Sequence, residues 1–292
     1  MKHRLIALAL LSCACRRSAP EASGFRTEAG REAVAPAFGA ASVFTFDAAG
    51  RLVAAKESGH PMLLPNATPV TTKLISPRAL WFDGRTLHAV AKDEAGVSGF
   101  YRVGEGIEQL STASIAGPIA RGPEGSILSL TGGLSRWDPD RRLFVPISTG
   151  IDGVAFAHDD AGEAFVLEPA RGGHPDLPGY RPPRIVHAVA GALRDELPAL
   201  SELGEERPVG LVFYRHHVYP REFDGALFHG DSATGRILAS TLVRDGATYR
   251  VTGSRAFVDG ARGLNGLDVG PDGFLYFSSA AGIHRVRYEP SF

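Results

Sequence analysis

Cysteine is nearly absent from this chain. The 292 residues contain two cysteines, Cys13 and Cys15, and both lie close to the N-terminus. No disulfide can therefore form within a domain that follows them. Such a domain must be held together by its apolar core alone. A hydrophobic content of 44% with 22% charged residues is typical of a packed globular domain.

The chain also has no excess of charge of either sign. The formal net charge is −1, and no long block of like charges occurs. This balance argues against a nucleic-acid partner and against attraction to an anionic membrane surface. The motifs of covalent haem attachment, serine hydrolases, zinc proteases and P-loop proteins are absent, so none of these classes is indicated. Long helical periodicity is missing too, since Pro198 interrupts the one plausible helical segment, residues 193–203.

The N-terminus is typical of an export signal. Basic residues precede an apolar run, residues 5–11, which is too short to span a bilayer. The following sequence, Leu10-Leu11-Ser12-Cys13, resembles a bacterial lipobox, in which cleavage before the cysteine precedes its lipidation. We predict a signal peptide over residues 1–12 and a lipid anchor on Cys13. An ordinary secretory signal is the alternative, and Cys15 is the second candidate for lipidation.

Residues 13–40 are rich in Ala, Gly, Glu and Arg, which favours a flexible tether between anchor and domain. The lipobox predicts an exported protein attached to the cell envelope. In a Gram-negative cell we expect it at the periplasmic face of the outer membrane, because Ala14 rather than an aspartate follows Cys13.

Six segments of the remaining chain repeat one pattern. Each has a short apolar strand, a turn and a second apolar strand, and further strands follow. Asp and Gly supply the side-chain capping and the backbone freedom that such tight turns need. The fifth segment has a longer connection at this position. In the other five segments the turns occupy residues 47–50, 83–84, 122–125, 159–162 and 270–273.

This repetition predicts the fold. One small sheet cannot bury both of its faces, whereas a ring of sheets can, and closing the ring also protects the sheet edges. We predict one all-β domain over residues 41–292, a six-bladed β-propeller of four-stranded antiparallel blades with NHL-like repeats. The sixth segment ends without a fourth strand, so we expect a strand within residues 28–38 to complete it. A five-bladed ring and a β-sandwich are the alternatives.

The fifth and sixth segments contain a more specific signal. Residues 208–214 (PVGLVFY) and 219–228 (YPREFDGALF) resemble a passage of the glucose/sorbosone dehydrogenase family, whose members are PQQ-dependent six-bladed propellers. The resemblance extends through residues 230–238 and 270–276, as far as Tyr288. It implies a propeller fold and, in the family, quinone-dependent oxidation of sugars.

The chain departs from that family where the chemistry is expected. The resemblance implies a catalytic histidine ahead of a turn in an early blade, but residues 114–120, before Gly122-Pro-Glu-Gly125, contain none. Arg262 is displaced from the quinone-binding arginine position, and Asn265 lies nearer to it. Loss of a general base lowers the rate by a factor of about 10²–10⁴. We therefore expect a ligand-binding or scaffold module that does not use PQQ. The alternatives are an active quinone-dependent aldose dehydrogenase and a metal-dependent lactonase-like hydrolase, so enzymatic activity is left open.

Candidate ligand-binding residues follow from the predicted architecture, because propeller ligands bind where the loops before the innermost strands converge. Arg78, Asp152 and Asn265 occupy such loops, and His229, Asp231 and Arg236 lie in the family-like stretch. Asp152 and Asn265, with Asp231 as a third candidate, could bind Ca²⁺ through oxygen ligands. Ordinary roles in turns and ion pairs are the alternative for each. The expected partners are a membrane through the lipid anchor, and a carbohydrate, another small molecule or a protein.

Overall fold

The chain folds as a six-bladed β-propeller. The computed structural model describes residues 31–112, 115, 117–173, 176, 178–191, 197, 199–204 and 206–288. Within these residues, 24 strands form six antiparallel sheets of four strands each. The predicted fold class is therefore confirmed, and the five-bladed ring and the β-sandwich are excluded. The lipid-anchor candidate Cys13 lies outside the described residues, and no helix within them is long and apolar enough to cross a bilayer.

The first three blades follow one another along the chain, and each runs from its innermost strand outwards. Blade one contains β2 (Val43–Phe46), β3 (Leu52–Ala55), β4 (Met62–Leu63) and β5 (Thr68–Pro69). Blade two contains β6 (Leu74–Asp83), β7 (Thr86–Asp93), β8 (Ser98–Val103) and β9 (Ile107–Ser111). Blade three contains β10 (Ile119–Arg121), β11 (Ile127–Leu130), β12 (Leu134–Asp138) and β13 (Leu143–Pro146).

The last three blades have the same order, except that blade six takes its outer strand from the N-terminal part. Blade four contains β14 (Ala155–His158), β15 (Ala164–Glu168), β16 (Arg184–Ala188) and β17 (Ala199–Glu202). Blade five contains β18 (Pro208–Phe213), β19 (Leu227–Asp231), β20 (Arg236–Asp245) and β21 (Thr248–Val258). Blade six contains β22 (Gly266–Val269), β23 (Leu275–Ser279), β24 (Gly282–Val286) and β1 (Arg31–Ala35).

The repeated aspartates cap the turns between the first and second strands. In blade one, a carboxylate oxygen of Asp47 accepts the backbone N–H of Ala49 at 3.0 Å and that of Arg51 at 2.8 Å. In blade four, Asp159 accepts the backbone N–H of Ala161 and of Glu163 in the same way. A glycine with φ near +80° completes each of these turns, at positions 50 and 162, because that conformation is strained for other residues. In these two blades the sequence repeat is thus a repeat of one capped turn.

The core is divided among the six interfaces between neighbouring blades. Each interface holds one cluster of buried apolar side chains. The cluster between blades five and six is rich in aromatic residues, including Phe228, Phe257 and Phe277. In it, the Tyr219 hydroxyl donates to the Val286 carbonyl at 2.7 Å and accepts the backbone N–H of Leu275 at 2.8 Å. The long connection of blade five therefore fastens that blade to blade six.

Strand β1 closes the ring. It pairs antiparallel with β24, with Arg31 opposite Val286 and Ala33 opposite His284. The Glu32 carboxylate accepts hydrogen bonds from Arg285 and Arg287, and these bonds hold the pKa of Glu32 below its ordinary value. The expected N-terminal closing strand is confirmed, and blade six is built from both ends of the domain.

The strand directions give the propeller two distinct faces. The innermost strands β2, β6, β10, β14, β18 and β22 surround the central axis and run in one direction along it. The upper face is where these strands begin, near Ser42, Arg78, Asp152 and Asn265. The lower face is where they end in the capped turns, including residues 122–126 and 159–163. The candidate residues from the sequence lie towards the upper face.

Removal of β1 should weaken the whole ring. We compare a mature chain lacking residues 16–35 with one lacking residues 16–30, which retains β1. The longer deletion removes the few backbone hydrogen bonds that pair β1 with β24. Because each contributes about 1 kcal/mol net, this deletion should lower the unfolding free energy by about 3 kcal/mol. That corresponds to a fall in Tm of roughly 10 °C, measured by differential scanning calorimetry. Equal Tm values for the two deletions would contradict closure by β1.

Candidate functional site

A polar groove opens on the upper face between blades one and two. It has a volume of about 630 Å³. Its position depends on a bulge in β6, where Ser76 adopts a φ of +50° and its backbone N–H donates to the Gly59 carbonyl at 3.0 Å. We call it the upper groove. The residues with polar side chains that line it are Ser42, Glu57, Ser58, Ser76, Arg78, Lys92 and Ser98.

The charged groups of the upper groove are available to a ligand. Arg78, Lys92 and Glu57 are exposed, and among the described residues none of the three forms an ion pair. Two cations and one carboxylate leave an excess positive charge beside several serine hydroxyls. Such a set can bind a hydroxylated molecule that has a negatively charged or carbonyl group. The sequence predicted Arg78 as a ligand-binding residue but missed its neighbours Glu57 and Lys92, which belong to other strands and loops.

The two predicted cation ligands have other partners. The Asp152 carboxylate lies 2.6 Å from the Arg171 guanidinium, in an ion pair on a loop of blade four. The Asn265 amide donates to the Ala41 carbonyl at 2.9 Å and thereby ties blade six to the start of blade one. No group of three or more His, Cys, Asp or Glu side chains in the described part of the chain is arranged to hold a metal ion. A calcium site at Asp152 and Asn265 stays a prediction.

Asp231 caps the loop between β19 and β20. Its carboxylate accepts the backbone N–H of Arg207 and of Ala233, both at 2.9 Å, and a hydrogen bond from the Thr234 hydroxyl. Burial raises the pKa of Asp231, but these hydrogen bonds outweigh burial and bring the pKa below its ordinary value. The side chain is 1% exposed, so it stabilises the loop rather than facing solvent.

The other two residues of the family-like stretch are also engaged. His229 is 1% exposed, and its Nε2 lies 3.2 Å from a Glu206 carboxylate oxygen. Arg236 stands opposite Asp231 across the sheet but donates instead to Asp259, at 2.9 Å. The structure thus distributes His229, Asp231 and Arg236 over three separate contacts, and their role in ligand binding stays a prediction.

A second site of chemical interest lies in the central channel near the lower face. Asp268, on β22, lines a cavity of about 660 Å³ together with Phe156, Leu211 and Val212. One carboxylate oxygen accepts the backbone N–H of Val269 at 2.8 Å, and no cation of the described residues pairs with it. Burial raises the pKa of Asp268 to about 6. An aspartate within an apolar innermost strand was the sequence signal that could have indicated this residue.

Several solved structures with a similar fold are described as sugar dehydrogenases. A putative oxidoreductase (glucose dehydrogenase) of Thermus thermophilus is 18% identical, with a TM-score of 0.68 over 88% of this chain and 99% of that one. The PQQ-bound aldose sugar dehydrogenase of Streptomyces coelicolor is 14% identical, with a TM-score of 0.62 over 88% and 97%. The soluble aldose sugar dehydrogenase of Escherichia coli is 12% identical, with a TM-score of 0.57 over 89% and 99%.

The chain shares the six-bladed propeller architecture of these three structures. The resemblance in sequence covered only the last two blades, whereas the structural similarity covers nearly the whole propeller. No protein-family model and no curated protein matches the sequence. At these low identities the similarity establishes the architecture, and the chemistry must be argued from the chain's own side chains.

Asp268→Asn should stabilise the protein in a pH-dependent manner. An acid whose pKa is raised from 3.8 to about 6 in the folded state destabilises that state as pH rises through this range. At about 1.4 kcal/mol per pKa unit, the variant should gain up to about 3 kcal/mol at pH 8 and almost nothing at pH 4. Thermal unfolding at both pH values measures this difference.

Asp272→Asn is the matched control in the same blade. Burial raises the pKa of Asp272, but hydrogen bonds from Arg285 and Tyr276 outweigh burial and bring the pKa below its ordinary value. The ionised Asp272 carboxylate stabilises the fold above pH 4, and this effect is lost below that pH. The Asp272→Asn variant should therefore be less stable than the parent at pH 8. A lower Tm for Asp268→Asn than for the parent at pH 8 would refute the conclusion that the buried Asp268 carboxylate destabilises the fold.

Proposed function

We propose that this chain is an exported, lipid-anchored binding protein that holds a small hydroxylated anion, of the sugar-acid class, in the upper groove. The makeup of that groove is the main support. Arg78 and Lys92 supply unpaired positive charge, and serine hydroxyls surround them. Charge-assisted hydrogen bonds from arginine and lysine are suited to carboxylates, and hydroxyl groups both donate to and accept from a sugar.

The described residues that line the upper groove include no histidine, which favours binding over quinone-dependent sugar oxidation. The stretch before the blade-three turn has no histidine. Among the described histidines, His229 is buried against Glu206, and the Nδ1 of His60 lies 2.8 Å from the Leu74 carbonyl. A base that removes a hydroxyl proton must lie within hydrogen-bond reach of the substrate. Binding without oxidation is therefore the function that these residues support best.

Arg78→Ala tests the binding site. We expect purified mature protein to bind a sugar acid such as gluconate or glucuronate in isothermal titration calorimetry, and the corresponding neutral aldoses more weakly. A hydrogen bond to a charged group is worth about 1.5–3 kcal/mol, so the variant should lose roughly tenfold or more in affinity. Arg85→Ala, an exposed arginine at the lower end of the same blade, should bind like the parent.

Two results would overturn this proposal. One is that the parent binds the sugar acid and that Arg78→Ala binds it with the same affinity. The other is dye reduction above background when the protein is supplied with PQQ, Ca²⁺ and a panel of aldoses. The second result would favour an active quinone-dependent aldose dehydrogenase.

The lipid anchor has its own test. The lipobox-like sequence before Cys13 supports lipidation of that residue, followed by a tether that leads to β1. Expressed with its signal in a Gram-negative host, the parent chain should appear in the outer-membrane fraction and incorporate labelled palmitate. Cys13→Ala should abolish the label, whereas Cys15→Ala should retain it. Labelling that persists in Cys13→Ala and is lost in Cys15→Ala would instead assign the anchor to Cys15.

A further inference from the structure

A second groove lies on the lower face, opposite the upper groove. It has a volume of about 740 Å³, within the range of small-molecule sites. It crosses the lower edge of blade three and reaches from blade two to blade four. We call it the lower groove. The residues used in the argument are His88 in blade two, Glu124, Arg136 and Trp137 in blade three, and His158 in blade four.

Two imidazole nitrogens in the lower groove are buried and have no hydrogen-bond partner of good geometry among the described residues. They are the Nδ1 of His88 and the Nε2 of His158. His88 is 7% exposed and stacks on Trp81 at 5.2 Å. Buried polar atoms in native structures are nearly always hydrogen-bonded, so a nitrogen without such a partner at each end of the groove points to an occupant, water or ligand, that supplies one.

Both rings are neutral near pH 7. Burial lowers the pKa of His88, and burial together with the Arg215 guanidinium lowers the pKa of His158 to about 4. A neutral imidazole has one donor and one acceptor nitrogen. It therefore suits a hydroxyl group, which can both donate and accept a hydrogen bond.

The charges of the lower groove also favour a neutral occupant. Arg102 and Arg142 both face Glu108, and Glu163 is held by His187 and Arg244. Arg136 and Glu124 remain without ion-pair partners among the described residues, and their charges cancel. An arginine and a carboxylate without partners can hydrogen-bond adjacent hydroxyls of a ligand.

Trp137 adds an aromatic surface. Its ring packs against Phe100 at 5.4 Å and Phe144 at 5.2 Å, and the half-buried residue also lines the groove. A fixed indole offers an apolar face on which the C–H face of a sugar ring can pack. We infer that the lower groove is a second binding site, which takes a neutral oligosaccharide extending from His88 over Trp137 to His158. This inference stands independently of the sugar-acid site in the upper groove.

Tryptophan fluorescence provides a direct assay. The chain has two tryptophans, and Trp81 is 7% exposed, so a ligand in the lower groove should change the emission of Trp137. We titrate the mature protein with cellotetraose, maltotetraose, xylotetraose and chitotetraose. At least one of these tetrasaccharides should give a saturable change in tryptophan fluorescence. His158→Phe retains an aromatic ring but removes the nitrogens, and it should raise the Kd for that tetrasaccharide at least tenfold.

Glu124→Gln is the second variant, since it replaces an exposed carboxylate and leaves the core unchanged. It should also weaken binding, and both variants should keep the Tm of the parent to within a few degrees. Arg78→Ala, in the upper groove, should bind the tetrasaccharide normally. Loss of binding in Arg78→Ala would instead place the tetrasaccharide in the upper groove and overturn the inference.

Two further outcomes would overturn it. One is no saturable change with any of the four tetrasaccharides. The other is saturation by a synthetic peptide of residues 16–30 and by no saccharide, which would make the lower groove a docking site for the chain's own tether. Neither outcome affects the sugar-acid proposal, whose readout is calorimetry of Arg78→Ala.

Discussion

The pairing of β1 with β24 is the constraint on which the rest of the structure depends. A propeller blade buries its faces only against its two neighbours, so each interface requires that the ring be complete. The six apolar clusters lie one to an interface, and the cluster between blades six and one includes Ala35 and Ile283 from the two closing strands. The ion pairs of Glu32 with Arg285 and Arg287 reinforce this junction, where strands from opposite ends of the domain meet. Without a disulfide, the closing strand is what converts five continuous blades and one incomplete blade into a ring.

Ring closure also determines where function can lie. Because the innermost strands run in one direction, the loops that precede them gather on the upper face and the capped turns gather on the lower face. The upper face holds the groove with Arg78 and Lys92, and the lower face holds the groove with His88, Trp137 and His158. The sugar dehydrogenases to which the chain is similar share this architecture. Two residues of the family-like stretch have structural roles, since Tyr219 bridges blades five and six and Asp231 caps a loop of blade five.

The sequence was sufficient to predict the blades, because each one is specified locally. The Asp-capped turns, such as those of Asp47 and Asp159, depend on residues two to four positions apart and are visible as a repeat. The closing strand was predicted by counting strands in blade six. The contacts of the candidate site residues could not be predicted in the same way. Asp152, Asn265 and Arg236 are polar residues in the expected loops, but their partners Arg171, Ala41 and Asp259 come from positions that only the folded chain brings near. Asp268 and His158 were missed for the same reason, since burial in the channel or under a neighbouring turn is a property of the whole ring.

Native-state hydrogen exchange tests the central claim most directly. If β1 completes blade six, the backbone amides of residues 31–35 and 282–286 should exchange slowly, and their protection should be lost together as denaturant is added. Their opening free energy should equal that of the remaining strands of blade six. Exchange of residues 31–35 at the rate of an unfolded chain, while β22–β24 stay protected, would show that the propeller is stable as an open ring and would contradict the account.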